Sequence, residues 1–245
     1  MPILRDWDLA LDADKVLWGQ GADPAVLRAR RPKLAELAER VIVEGRPLLE
    51  PAVIYERYRV AELRHERLLL RRPSEQAADG GATEEAHPAG SLAGPLIAEH
   101  LGGAQEVVVA VCTIGGRLSA LASEQIKSDG ARGLALDGLA SAAAETLAEA
   151  MCRRIEDAAA AEQLQTSIPL NPGMIGWPFL EGQQQLFALL KAEAIGVRLH
   201  DSGLMEPVKS VSFAVGLGRE MGRPGRPCDY CAMRGLCRYN GGHAG

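Results

Sequence analysis

The pattern of hydrophobic and polar residues predicts helices in the first fifty positions. Asp23-Pro24 is a typical helix start, with a capping carboxylate before a proline at the first helical position. A second start at Arg31-Pro32 leads into an amphipathic helix that Gly45 and Pro47 end. The apolar face of that helix is formed by residues at helical spacing: Leu34, Leu37, Val41 and Ile42.

Four further segments have strand patterns. Residues 51–60 are rich in β-branched and aromatic side chains. The segment E-V-V-V-A-V-C-T-I-G-G at 106–116 is a continuous apolar run stopped by two glycines, which is typical of a buried central strand. Residues 196–205 and 209–218 alternate on either side of Glu206-Pro207, which predicts an antiparallel pair. Helical patterns cover 117–127, 138–157 and 181–193, and the second is rich in alanine, which permits close packing of helices.

Glycine and proline divide the chain. Residues 73–95 combine Gly, Ala, Pro and acidic residues without an apolar period and predict a mobile loop, whereas 166–178 has the composition of a binding loop. We therefore expect a helical and strand region at 1–72, the loop at 73–95, a core at 96–222 and a cysteine-rich tail at 223–245. Strands and helices alternate without a βαβ rhythm, so the predicted fold class is α+β, with a mostly antiparallel twisted sheet flanked by helices.

Composition excludes some classes of function. Of 245 residues, 47% are hydrophobic and 24% charged, as in ordinary globular proteins, and the net charge of −5 without a basic stripe argues against a nucleic-acid partner. No apolar run is long enough for a transmembrane helix, and the N-terminus lacks the pattern of a signal peptide. The sequence thus predicts a cytoplasmic protein with no membrane partner.

Three of the five cysteines lie close together near the C-terminus. Cys228, Cys231 and Cys237 are spaced C-x2-C-x5-C, and in a reducing compartment such clusters bind metal or do redox work. We favour an Fe–S cluster over zinc, and either over plain thiols, with Arg226, Arg234 and Arg238 offsetting the thiolate charge. Five candidates remain for the fourth ligand: Cys112, Cys152, His243, a partner's side chain or an exogenous molecule.

The remaining chemistry is sparse. Cys112 and Cys152 lie in apolar strand and helix contexts, which favours small buried side chains. The glycines of 216–222 are not spaced as in a dinucleotide-binding loop, and no residue stands out as a general base.

Several short motifs, in order, resemble a known family. P-L-N-P-G-M-I-G-W-P at 169–178, then I-G-V-R-L-H-D-S-G-L-M-E-P-V-K-S-V-S-F, resembles the activation domain of cobalamin-dependent methionine synthase and, more closely, its free-standing relatives that end in a cysteine segment. Earlier matches are the strand near Pro51, T-I-G at 113–115 and L-D-x-x-x-S-A-A from Leu136. The resemblance covers nearly the whole chain.

That resemblance implies a role in the reductive reactivation of a corrinoid-dependent methyltransferase. In the family, this domain presents the methyl group of S-adenosylmethionine (AdoMet) to cobalamin. By position, the implied AdoMet site comprises Asn171, Pro172, Gly173, Met174, Met205, Pro207, Ser210 and Ser212. The chain lacks D-x-H-x-x-G, so cobalamin would arrive on a partner, either a corrinoid protein or a corrinoid methyltransferase.

The chain also departs from the family pattern. Pro169 stands where the family has an arginine, Met174 where it has a tyrosine, and the long hairpin after the S-V-S strand is missing. Two alternatives therefore stay open beside the reactivation role: a zinc-clipped, non-catalytic subunit or scaffold, and an AdoMet-dependent methyl donor protein. The 166–178 loop could equally serve only to shape the fold.

Overall fold

The structure is a computed structural model that describes residues 1–72, 88–221, 226–231 and 234. Within these ranges no helix has the length and apolar character needed to cross a membrane.

Helices and strands alternate irregularly along the chain. The helices are α1 (Ala13–Gly19), α2 (Pro24–Arg30), α3 (Pro32–Gly45), α4 (Pro95–Leu101), α5 (Arg117–Ser128), α6 (Gly130–Ala161) and α7 (Phe179–Leu189). Short 3-10 helices cover Arg46–Leu48, Ala192–Ile195 and Pro227–Tyr230. The strands are β1 (Ile3–Leu4), β2 (Ala52–Arg64), β3 (Arg67–Arg71), β4 (Gly90–Ala93), β5 (Glu106–Thr113), β6 (Gln165–Thr166), β7 (Arg198–Leu199), β8 (Met205–Glu206) and β9 (Ser210–Gly218).

One antiparallel sheet organises the described residues. Its strand order is β4-β3-β2-β5-β9-β6, and β1 also pairs with β2. Strand β5 lies at the centre, with Ala52 of β2 opposite Thr113 on one side and Ser210 of β9 opposite the same residue on the other. The predicted α+β class with a mostly antiparallel sheet is confirmed.

The sheet separates two hydrophobic clusters. Along β5, Val108, Ala110 and Cys112 face the first cluster, which contains α1, α3, α5 and α6. The intervening Val107, Val109 and Val111 face the second cluster, which contains α4, α7 and the side chain of Trp177. A strand that is buried on both faces has a continuous apolar sequence. For this reason the apolar run at 106–113 could be predicted to be a buried strand from the sequence.

Several predicted elements are confirmed. The Asp23 carboxylate accepts hydrogen bonds from the N–H groups of Ala25 and Val26, and Pro24 begins α2. The 32–45 and 117–127 segments form α3 and α5. The apolar run before the glycines at 115–116 forms β5 as far as Thr113, and residues 51–60 lie in the longer β2 apart from Pro51.

The predicted pairing of 196–205 with 209–218 is wrong. Strand β7 pairs with β8 in a separate small hairpin, whose turn contains Gly203 at φ +83°. Strand β9 instead pairs with β5 and β6, because its side chains from Phe213 onward are buried and require a central place in the sheet.

Other boundaries also differ from the predictions. Helix α6 begins at Gly130, where the Asp129 carboxylate caps it by accepting from the Arg132 N–H, and it runs to Ala161, so the predicted 138–157 helix was too short. Helix α7 covers 179–189 rather than 181–193.

The predicted 73–95 loop lies partly outside the described residues, which omit 73–87. The loop prediction is wrong for its last part, because Gly90–Ala93 forms β4 beside β3 and Pro95 begins α4. Strands β2 and β5 lie on opposite sides of this segment in sequence and pair along their length, so the described parts of 1–72 and 96–222 share one sheet.

Helices α1 and α6 cross at glycines. A Cβ on Gly138 would lie 2.7 Å from the Val16 carbonyl oxygen, and one on Gly19 would lie 2.2 Å from the Gly138 carbonyl oxygen. We expect Gly138→Ala to lower the free energy of unfolding by about 1–3 kcal/mol, because backbone atoms must move apart. Urea denaturation measures this loss. Gly130→Ala is the matched control in the same helix, since a Cβ there meets nothing within 4 Å; equal losses in both variants would contradict the prediction.

Candidate functional site

The loop between β6 and α7 is held in a compact form by its own backbone. The Gly173 N–H donates to the Trp177 carbonyl at 2.9 Å, and the Met174 N–H donates to the Asn171 carbonyl at 3.2 Å. Gly173 and Gly176 have φ angles of +98° and +88°, which non-glycine residues rarely adopt. The loop therefore needs its glycines for its shape, whether or not it binds a ligand.

Trp177 anchors the loop to the second cluster. Its side chain is fully buried, and its indole N–H donates to Oε1 of Gln185 on α7 at 3.2 Å. The same oxygen accepts from the Ala93 N–H of β4 at 2.9 Å. The Gln185 side chain thus connects the loop, helix α7 and the edge strand β4 through hydrogen bonds.

The predicted site residues of β9 are satisfied within the protein. The Ser212 hydroxyl is buried and donates to Oε1 of Gln183 at 2.8 Å, while the Nδ2 of Asn171 donates to the Ser212 carbonyl at 3.0 Å. The Ser210 hydroxyl lies 2.9 Å from Oγ1 of Thr113 and 2.7 Å from the carbonyl oxygen of Pro207. The structure brings Asn171, Met174 and Ser212 into contact, and the predicted AdoMet site requires these residues to lie together.

Two further predicted site residues, Met205 and Pro207, lie in strand β8 and directly after it. Met205 packs, half-buried, against the second cluster, and a cis peptide joins Glu206 to Pro207. Phe179 lies between the β7–β8 hairpin and the loop. A Cβ added to Gly173 would lie 3.6 Å from the Phe179 ring, and one added to Gly203 would lie 2.9 Å from it.

Lys209 holds the segment before β9 against α6. Its ammonium group lies 2.9 Å from the Asp137 carboxylate and donates to the Ser141 hydroxyl at 2.8 Å. Asp137 and Ser141 belong to the L-D-x-x-x-S-A-A motif, so this motif has a structural role here.

The first part of the cysteine segment lies directly on the loop. The Ile175 N–H donates to the Tyr230 carbonyl at 2.9 Å, and Met174 forms an antiparallel β-bridge with Cys231. The Tyr230 ring meets the His100 ring edge-on, with centroids 4.5 Å apart. We call residues 226–231 the cysteine turn. Sequence reasoning treated this turn and the loop as separate features, and the structure joins them.

The cysteine turn meets part of what a metal site requires. Cys228 lies in the 3-10 helix Pro227–Tyr230 and Cys231 follows its last residue; both are half-buried, and the Cys231 N–H donates to the Cys228 carbonyl at 3.3 Å. Cys237 and His243 lie outside the described residues. Within the described part of the chain, no group of three potential ligands comes together.

The structure places Cys112 and Cys152 away from the cysteine turn. Both lie with the first cluster, whereas Tyr230 of the cysteine turn packs against the second, on the opposite face of the sheet. Burial raises the pKa of the Cys112 thiol well above its usual value. Burial, with the negative charges of Glu156 and Glu149, raises the pKa of Cys152 to about 12. The expectation of a small buried side chain is confirmed for Cys112, while Cys152 is only half-buried.

The described residues form open grooves near and away from the loop. One, of about 600 Å³, runs beside the loop between Pro178, Glu181, Arg64 and Arg67. The other, of about 450 Å³, contains Arg57, which is held by the carboxylates of Glu106 and Glu162. Residues 171–174 and 205–212 line neither groove.

Sequence reasoning missed the residues that support the loop. Trp177, Gln183, Gln185 and Tyr230 hold it through buried or backbone contacts. The pattern of α7 carried one usable signal, since Gln183 is buried and lies at helical spacing from the apolar Leu186 and Phe187, where a polar side chain needs a partner.

Comparison with known proteins finds a match among solved structures. No protein-family model matches the chain, and no curated protein matches it. Among solved structures, the reactivation domain of MetH bound to AdoHcy is similar, with a TM-score of 0.68 over 98% of this chain and 86% of that chain, at 15% sequence identity. Over nearly its full length the chain therefore has the fold of the MetH reactivation domain.

Proposed function

We propose that the protein assists the reductive reactivation of a corrinoid-dependent methyltransferase of the methionine synthase type. The observation that carries the proposal is the fold, which is shared along nearly the full length of the chain with a reactivation domain bound to AdoHcy. The family motifs support it too, because their residues meet at one place: Asn171, Met174 and Ser212 are in contact through hydrogen bonds.

In this proposal the loop at 171–174 and the strand residues Met205, Pro207, Ser210 and Ser212 form the AdoMet site. The exposed Gly173 lets the backbone approach a ligand, whereas the buried Ser212 acts by holding Asn171 in place. Ser210 fixes the turn at Pro207 in the same way.

The proposal assigns Cys228, Cys231 and Cys237 to an Fe–S centre. When bound, such a centre would relay one electron from an external reductant to the partner's cobalt, which is reduced as the centre returns to its oxidised state. The chain's own part would be to hold AdoMet at the loop, so that the methyl group could pass from its sulfonium to the partner's reduced cobalt, with AdoHcy as the other product. The cysteine turn supports this assignment because it lies on the loop, so that the electron and the methyl group would be delivered at one surface.

The test is a reactivation assay without oxygen. A corrinoid methyltransferase with its cobalt in the cobalt(II) state is mixed with AdoMet, a chemical reductant and the chain, and formation of methylcobalamin is followed by absorbance. We expect methylation to require the chain. Equal rates with and without it would refute the role.

A second candidate function is a zinc-clipped subunit of a methyltransferase complex. It is favoured by the backbone pairing between Met174 and Cys231, which would suit a purely structural clip. Metal analysis separates the two candidates: iron with a visible absorbance that dithionite bleaches supports the first, and colourless protein containing zinc supports the second.

A further inference from the structure

The end of α2 and the start of α3 carry a cluster of exposed cations. Arg30 is the last residue of α2, Arg31 joins the two helices, and Lys33 is the second residue of α3. All three are exposed. The exposed Val26 lies one helical turn before Arg30, so the two side chains are on the same face of α2. We call Val26, Arg30, Arg31 and Lys33 the basic corner.

The cations of the basic corner have no partner among the described residues. The ion pairs and side-chain hydrogen bonds between those residues involve none of Arg30, Arg31 and Lys33. The neighbouring Arg28 differs, because its Nε donates to the Asp14 carboxylate at 3.1 Å and its Nη2 to the same oxygen at 2.5 Å. Three positive charges of the corner are therefore free to meet a partner's carboxylates.

Helix stability does not account for two of these cations. Arg30 is favourably placed in the last turn of α2, but Arg31 and Lys33 lie at the beginning of α3. The partial positive charge at a helix N-terminus favours acidic residues and disfavours cations, and the first turn of α3 contains no acidic residue. Positions that break a local rule without a compensating contact are expected where a surface has a function.

We infer that the basic corner is a docking surface for a short acidic segment of a partner protein. Aspartate or glutamate side chains of the segment would pair with the three free cations. An apolar side chain beside them would contact Val26, which gives the apolar centre and charged rim of a protein interface. The net charge of −5 disfavours extended polyanions such as nucleic acid or an anionic membrane, whereas a short segment meets only the corner.

The basic corner lies on the opposite side of the sheet from the loop. Leu27 of α2 and Leu37 of α3 pack against the first cluster, whereas Trp177 of the loop and Tyr230 of the cysteine turn belong with the second. A partner docked at the corner therefore leaves the loop uncovered. The inference does not depend on the proposed AdoMet site.

The test is fluorescence anisotropy of a labelled oligoglutamate peptide with the full chain. We expect binding that weakens as sodium chloride rises from about 0.05 M to about 0.5 M, because salt screens exposed charges. Replacing the three cations of the corner together by glutamine should weaken binding by about tenfold. The matched control removes three exposed arginines of the β2–β3 hairpin and should bind the peptide like the wild type: Arg59→Gln, Arg67→Gln and Arg71→Gln.

A single charge reversal separates docking from stability. Lys33→Glu places a carboxylate in the first turn of α3, where the helix dipole favours it. We expect its melting temperature to equal or exceed that of the wild type while its affinity for the peptide falls. A structural role for Lys33 would instead lower the melting temperature.

Any of four results would overturn the inference: no peptide binding by the wild type, unchanged binding in the triple corner variant, an equal loss in the hairpin variant, or tighter binding of duplex DNA or phosphatidylserine vesicles than of the peptide. Circular dichroism shows whether each variant is folded. AdoHcy titration and the reactivation assay are scored separately, so a failure of docking is distinguishable from a failure of the proposed function.

Discussion

Replacing Cys228, Cys231 and Cys237 together by alanine is expected to reduce reactivation to the rate seen without the protein. The physical reason is that these thiolates are the ligands of the proposed Fe–S centre, so their removal would remove the proposed electron carrier. The fold should persist, because the described cysteines of the turn lie outside both hydrophobic clusters. Methylcobalamin formation measures the loss, and circular dichroism with thermal melting checks the fold.

Cys152→Ala is the matched control. This cysteine lies with the first cluster, on the opposite face of the sheet from the cysteine turn, and its raised pKa keeps it a neutral thiol. The variant should reactivate the methyltransferase like the wild type. Full activity of the triple variant would refute electron transfer through the turn. The remaining explanation of these cysteines would then be a structural zinc site.

Trp177→Ala is expected to lower the free energy of unfolding by about 3–5 kcal/mol. The indole is fully buried in the second cluster, so its removal leaves a large cavity among residues that can only partly collapse. The change also removes the donor to Gln185, which connects the loop with α7 and β4. Urea denaturation, followed by circular dichroism, measures the effect.

Phe179→Ala is the control for this second prediction. Phe179 is the same kind of side chain two positions along, but 39% of its surface is exposed, so its removal should cost clearly less, about 1 kcal/mol. A loss of less than 1 kcal/mol in Trp177→Ala would mean that the loop does not depend on its buried anchor.

The local elements that could be predicted from the sequence are those with strong short-range signals. The cap at Asp23-Pro24, the start of α3 at Pro32 and the apolar run of β5 depend on neighbouring residues alone. The prediction failed for 196–205 and 209–218, because alternation shows that a segment is extended and not which strand it pairs with. Strand β4 was missed because four residues of small and apolar type carry little pattern.

For the candidate site, the sequence indicated the loop and the serines of β9 through their resemblance to a family. It did not indicate how they are supported. The hydrogen bonds from Ser212 to Gln183 and from Asn171 to Ser212 join residues about thirty or more positions apart in the chain, so no local pattern contains them.

By itself, then, the sequence determined the fold class, the position of the loop and the presence of a cysteine cluster, since periodicity, glycine and proline content and cysteine spacing are local properties. Only the tertiary structure decided that Cys112 and Cys152 lie across the sheet from the cysteine turn and that this turn pairs with the loop through Met174 and Ile175. The physical reason is that strand order and backbone pairing depend on which buried surfaces fit together across the whole chain.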